Sequence, residues 1–138
     1  MNIPIQIPVT VLTGFLGSGK TTLLKSLLKT KEMDNVAVII NEFGEVGLDH
    51  LLVDYSKENV VELQNGCICC TIRGDLSDTL TDLHNRMLKG KIKSYNRVIM
   101  ETTGLADPVP IIHTVLTSID VIMWYSLDGV ITFVDGVI

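Results

Sequence analysis

Positive charge is scarce in this chain. Eleven Lys and Arg stand against sixteen Asp and Glu, leaving a net charge of −5 over 138 residues, and no Lys/Arg cluster occurs. Nucleic-acid binders usually carry a basic face, so this balance argues against that class. Any anionic ligand must then be held by local geometry. The first eight residues lack the basic start and long apolar run of a signal peptide. The most apolar late stretch, residues 115–138, is interrupted by Asp120, Asp128 and Asp135 and is too polar to span a bilayer. The expectation is a cytoplasmic protein with no membrane partner. Internal repeats and low-complexity segments are absent. Cysteine is also scarce, with three in all, Cys67, Cys69 and Cys70, inside four residues. An odd count packed this tightly, without an export signal, is not a disulfide framework and points to chemistry instead.

What is present suits one soluble domain with a sizeable core: 46% of residues are apolar and 20% charged. The alternating residues Ile7, Val9 and Val11 predict a first strand over 9–13. Leu23, Leu24, Leu27 and Leu28 recur at helical spacing and predict a helix from Lys20 to about residue 31. Residues 36–40 form a continuous β-branched run, the pattern of a strand buried on both faces. Residues 41–54 mix glycines and acids without a period and predict a long functional loop, with a short strand near 51–55. A brief strand is expected at 60–63. Leu76, Leu80, Leu83 and Met87 predict a helix over 76–89, stopped by Gly90. A strand over 95–100 ends at Glu101, and Asp107-Pro108 reads as an N-cap and first helical position before a helix to about Thr117. A final buried strand is expected at 129–134. Alternating strands and helices with fully apolar strands imply an α/β fold, a mostly parallel sheet with helices on both faces. A doubly wound domain rarely finishes on a strand without a covering helix. The expectation is therefore a domain incomplete at its C-terminus, whose exposed final strand invites pairing with another copy as a homo-oligomer.

Gly14, Gly19, Lys20 and Thr21 satisfy G-x-x-x-x-G-K-[S/T], after an expected strand and before an expected helix. This is the phosphate-binding loop of P-loop nucleoside triphosphatases. Glycines let the backbone turn tightly enough for successive N–H groups to point at phosphate oxygens. The helix N-terminus adds unpaired N–H groups and partial positive charge. Gly14, Gly17, Ser18, Gly19, Lys20, Thr21 and Thr22 are the expected nucleotide-binding residues. Lys20 is expected to reach the β- and γ-phosphates and the Thr21 hydroxyl to ligate Mg²⁺.

Enzymes of this kind also place an acid at the end of a neighbouring apolar strand, where it holds Mg²⁺ directly or through water. Glu101 fits that position. The following Thr102-Thr103-Gly104 reads as a nucleotide-sensing loop in which the Gly104 N–H meets the γ-phosphate. Residues 41–49 are placed like the second such loop. Glu42, Glu45 and Asp49 there suit Mg²⁺, water or another metal, and the sequence does not choose among these roles. No general base is assignable, as is common where positioning and charge stabilisation do most of the work. Lys20 and Glu101 are thus the expected catalytic residues.

Thiolates are soft ligands for zinc and related transition metals. A C-x-C-C run can offer two or three of them from one turn, and a tetrahedral site needs one or two ligands more. Candidates are Glu42, Glu45, His50, His113 or a partner protein. Buried apolar cysteines and a redox pair are the competing readings. Clustering disfavours the first, and the lack of a C-x-x-C spacing disfavours the second. His84, beside Leu83, is expected at the surface, and Trp124 and Tyr125 in a core or interface.

Taken together, the loop over 11–22, Asn41-Glu42-Phe43-Gly44-Glu45, Gly66-Cys67-Ile68-Cys69-Cys70 and residues 101–108 resemble the CobW-like metallochaperone GTPases, in the right order over essentially the whole chain. The resemblance implies a GTPase that binds zinc or cobalt (Zn²⁺ or Co²⁺) with GTP and Mg²⁺ and hands the metal to a client metalloprotein. By position, Thr21 and Glu101 would support Mg²⁺, and Cys67, Cys69 and Cys70 would hold the transferred metal. Two departures stand out. The family's guanine-reading motif Asn/Thr-Lys-x-Asp does not occur, and its C-terminal domain is not represented. Residues 1–138 are therefore expected to be the N-terminal part of the GTPase domain. Ile40 also stands where some relatives carry a metal-assisting acid. Other readings of the same residues are a P-loop kinase of a small molecule or nucleotide, and a non-enzymatic metal-storage or redox module. The kinase reading would require an arginine-bearing lid, and Arg73, Arg86 and Arg97 are not clustered.

Overall fold

The structure, a computed structural model, describes residues 5–14, 20–40, 59–63, 65–72, 74–102 and 109–133, with backbone alone at 20–22 and 133. Six strands form one sheet: β1 (Ile7–Gly14), β2 (Val36–Ile40), β3 (Val60–Glu62), β4 (Ile68–Thr71), β5 (Arg97–Glu101) and β6 (Tyr125–Phe133). Their order is β3-β4-β2-β5-β1-β6. Every pairing is parallel except β3 with β4. Helices α1 (Lys20–Leu27), α2 (Leu76–Leu88), α3 (Val109–Thr117) and α4 (Ile119–Ile122) cover it.

Side chains alternate across the strands, so the sheet divides the core in two. On one face Leu12, Val38, Ile40, Val61 and Cys69 pack with Leu24 and Leu28, from α1 and the residue just past it. On the other, Val11, Ile39, Met100 and Cys70 pack with Leu80 and Leu83 of α2, Val115 of α3 and Val121 of α4. Strand β2 is buried at all five positions, as its unbroken apolar run requires.

Helix α2 shows how local chemistry sets an element's ends. The Asp75 carboxylate accepts from the Asp78 N–H at 2.8 Å, capping the first turn. At the other end Gly90 adopts φ 71°. Its N–H donates to the Met87 carbonyl (3.1 Å), and that of Lys91 to Arg86 (2.9 Å), a Schellman closure that stops the helix.

Several elements differ from expectation. Helix α1 ends at Leu27, and a 3₁₀ turn, Lys31–Met33, follows it. Strand β6 begins at Tyr125, four residues early, because a bulge at Asp128 lets the ladder with β1 continue on its N-terminal side. Cys69 and Cys70 lie in strand β4, with Cys67 just before it, where a turn was expected. His84 is buried, only 6% exposed, and stacks on half-buried Trp124 with ring centroids 4.5 Å apart, where a surface position was expected. The phenol of Tyr125 donates to the Leu80 carbonyl (3.0 Å) and meets the Tyr95 hydroxyl at 2.6 Å in the core. Strand β6 lies at one edge of the sheet with Val130 and Ile131 exposed, not buried as expected, because among the described residues it pairs with β1 alone. The expected loop over 41–54 and strand near 51–55 lie outside the described residues. Among those residues no helix is long and apolar enough to cross a membrane.

Candidate nucleotide and metal site

The parallel strands β1, β2, β4 and β5 all present their carboxyl ends at one edge of the sheet. From β1 the chain crosses by α1 on one face towards β2, and from β5 it crosses by α3 and α4 on the other towards β6. The point where the crossovers diverge is the crevice in which open α/β sheets bind ligands. It lies at β1 and β5.

Gly14 is the last residue of β1 and has φ 149°, a conformation side-chain-bearing residues rarely adopt. Helix α1 starts at Lys20, so the phosphate motif occupies the segment between a buried strand and a helix N-terminus. Residues 15–19, the Lys20, Thr21 and Thr22 side chains, and Gly104 lie outside what the structure describes. Glu101 closes β5 opposite Leu12 of β1 and is 7% exposed. The next residue fastens the two strands together. The Thr102 N–H donates to the Leu12 carbonyl at 3.0 Å, and its hydroxyl donates to the same oxygen at 3.2 Å. The carboxylate of Glu101 is thereby held one strand away from the strand that delivers the phosphate motif.

The thiols lie at the other side of β2. Strand β2 pairs with β5 on one flank and with β4 on the other, so Ile39 faces both Met100 and Cys70. With strands about 4.8 Å apart, β4 lies roughly 14 Å from β1. Cys67 and Cys69 point to the α1 face of the sheet and Cys70 to the α2 face. Their exposures are 0%, 0% and 1%. The Cys67 thiol donates to the Val36 carbonyl (3.4 Å), and the Cys70 thiol to that of Thr71 (3.2 Å). Burial raises all three pKa values, those of Cys67 and Cys70 to about 12, against smaller lowering effects of Lys93 on Cys67 and Arg86 on Cys70. As arranged, these are protonated, covered thiols. Among the described residues no group of three His, Cys, Asp or Glu side chains is placed to hold a metal ion. Of the further ligand candidates, Glu42, Glu45 and His50 lie outside the described residues. His113 is on α3, exposed, with its ring near the Thr117 hydroxyl.

Two residues that the sequence reading passed over shape this region. The Asn65 side chain donates to the carbonyls of Leu28 (2.8 Å) and Thr30 (2.6 Å), and accepts from the Cys67 N–H (2.9 Å). Asn59 donates to the Thr71 carbonyl (3.2 Å) and lies 3.8 Å from the Cys70 sulfur, its own buried amide oxygen having no hydrogen-bond partner among the described residues. The Asn65-Gly66 pair is a turn signal that could have drawn attention. Asn59 carries none.

A βα phosphate motif, an acid at the end of the adjacent parallel strand and helices on both faces define a P-loop nucleoside triphosphatase fold. Residues 8–138 match the CobW/HypB/UreG nucleotide-binding domain model, and the chain belongs to that family. It is 47% identical over 131 residues to the zinc chaperone YjiA of Escherichia coli (strain K12), covering 95% of this chain and 41% of the relative. It is 38% identical to the zinc-regulated GTPase metalloprotein activator 1 of Dictyostelium discoideum, covering 94% of this chain and 30% of that protein. Zinc-bound YjiA GTPase from E. coli superposes with a TM-score of 0.77 at 44% identity, over 96% of this chain and 40% of YjiA. The chain thus spans less than half the length of these relatives.

Proposed function

We propose that this chain is the nucleotide-binding part of a GTP-hydrolysing zinc chaperone. The observation that carries the reading is the shared strand. Strand β2 pairs at once with β5, which ends in Glu101, and with β4, which carries the thiols, so whatever the nucleotide does to one flank bears on the other. The names of the similar proteins, zinc chaperones and a zinc-regulated GTPase, supply the direction. In this reading the backbone amides over 14–22 hold the phosphates, Lys20 neutralises charge on the β- and γ-phosphates, and Thr21 and Glu101 support Mg²⁺. Gly104 senses the γ-phosphate. Cys67, Cys69 and Cys70 supply sulfur for Zn²⁺, or for Co²⁺ as an alternative cargo, which passes to a client metalloprotein in the cytoplasm.

The test is hydrolysis by the full-length protein. GTP turnover with Mg²⁺ is expected, falling at least about a hundredfold in Lys20→Ala through loss of charge stabilisation at the γ-phosphate. Turnover unaffected by Lys20→Ala, or transfer of the phosphoryl group to an acceptor other than water, would contradict the reading.

A further inference from the structure

The thiols as folded do not fit one zinc site. Zn–S bonds of about 2.3 Å place ligating sulfurs within roughly 4 Å of one another. Cys69 and Cys70 are successive residues of a strand and project to opposite faces of the sheet. Strand β4 is flanked by β2 and β3, with a packed core above and below. Three sulfurs can surround one ion only if the backbone between Cys69 and Cys70 turns out of its pleat, and that requires the ladder to open.

Beyond the backbone pairing of β4 with β2 and β3, one side chain ties the start of the thiol run to the chain just past α1. Asn65 forms three hydrogen bonds, two to carbonyls just past the end of α1 and one to the first amide of the thiol run. Carbonyls where a helix ends lack intrahelical partners, and the Asn65 amide N–H groups donate to two of them. Helix α1 is eight residues long, so this anchor lies about 12 Å along a rigid rod from Lys20. Beside it Gly66 carries the Asp34–Lys93 ion pair across its exposed side. The thiol strand and α1 are thus joined by the Asn65 side chain as well as by the packing of Cys67 and Cys69 with Leu24 and Leu28.

We propose that Asn65 is a positioning residue that latches β4 closed against the carboxyl end of α1, and that three-thiol zinc capture proceeds only once β4 has left its ladder with β2. The identity of the ion rests on the zinc-chaperone reading; the latch does not.

The latch is tested without metal or nucleotide, by the labelling rate of the native thiols with an aromatic disulfide. Asn65→Ala removes all three bonds and should accelerate labelling of all three cysteines about thirtyfold, equivalent to about 2 kcal/mol of local opening. Asn65→Asp retains the acceptor for Cys67 but loses both donors, and should lie between. Ser77→Ala, which removes a 3.0 Å hydroxyl pair between α2 and Ser118 at the start of α4, should leave labelling unchanged. Urea titration of each variant separates local opening from global unfolding. Labelling unchanged in both Asn65 variants, or accelerated equally by Ser77→Ala, overturns the latch.

Opening is tested by hydrogen exchange with Zn²⁺ as the probe. Amides of residues 68–71 and 36–40 should exchange faster when zinc is bound, the reverse of ordinary ligand protection. Equal or stronger protection overturns the opening. Failure of Zn²⁺ to bind the full-length protein would refute the function reading and the opening together, while the metal-free labelling still decides the latch.

Discussion

Substituting Gly66 by alanine separates two reasons for a glycine to precede the thiols. Its φ is 91°, where a β-carbon costs about 1–2 kcal/mol. An added Cβ would also collide with the Asp34 carboxylate and come within 2.8 Å of the Lys93 ammonium. The Asp34–Lys93 pair is half-exposed and contributes about 1 kcal/mol at most. Gly90 supplies the internal control: its φ is 71°, yet a Cβ there meets nothing within 4 Å. Gly90→Ala should therefore lose only the conformational part, about 1 kcal/mol, and Gly66→Ala about 2–3 kcal/mol. Urea unfolding followed by far-UV dichroism measures both. Thiol labelling should accelerate in Gly66→Ala alone, since only that glycine leads into β4. Equal losses for the two variants would show that the ion pair moves aside freely and that crowding at Gly66 plays no part.

Three further outcomes are expected. Tyr125→Phe leaves the Leu80 carbonyl and the buried Tyr95 hydroxyl without their partner and should cost about 1–3 kcal/mol in urea unfolding; a loss below 0.5 kcal/mol would contradict it. Burial lowers the pKa of His84, so the folded state favours the neutral ring. Stability from this source should be full above the unfolded value of about 6.5 and lost as pH falls through the folded value, a slope that His84→Phe should flatten below pH 6.5 in thermal unfolding. Glu101→Gln keeps the shape of a buried side chain and removes its charge. GTP hydrolysis should fall at least tenfold with nucleotide binding less affected, and unchanged turnover would remove Glu101 from the Mg²⁺ site.

The parts of the fold legible in the sequence are those fixed by local chemistry. The frame of the phosphate motif could be read because Val9 and Val11 must alternate into a core and Lys20 must open a helix. The five apolar residues of β2 admit only a doubly covered strand, and Gly90 marks the end of α2, whereas the Asp75 cap at its start emerged from the structure. Tertiary context concealed the rest. Cys69 and Cys70 carry a chemical signal strong enough to hide that Ile68–Thr71 is a short strand alternating between two cores. His84 follows Leu80 by four residues and so lies on the buried stripe of α2, but an imidazole there is settled only by the Trp124 ring that arrives from forty residues later. Asn65 looks like a turn residue. Its reach to the end of α1 is a long-range fact that no window of sequence contains.

Nucleotide and metal are proposed to answer to one another across β2. The decisive experiment is the zinc affinity of the full-length protein, read by competition with a chromophoric chelator with and without GTP and Mg²⁺. At least a tenfold tightening by GTP, about 1.4 kcal/mol of coupling, is predicted, and Lys20→Ala should abolish it. Identical zinc affinity in the presence and absence of nucleotide would contradict the account.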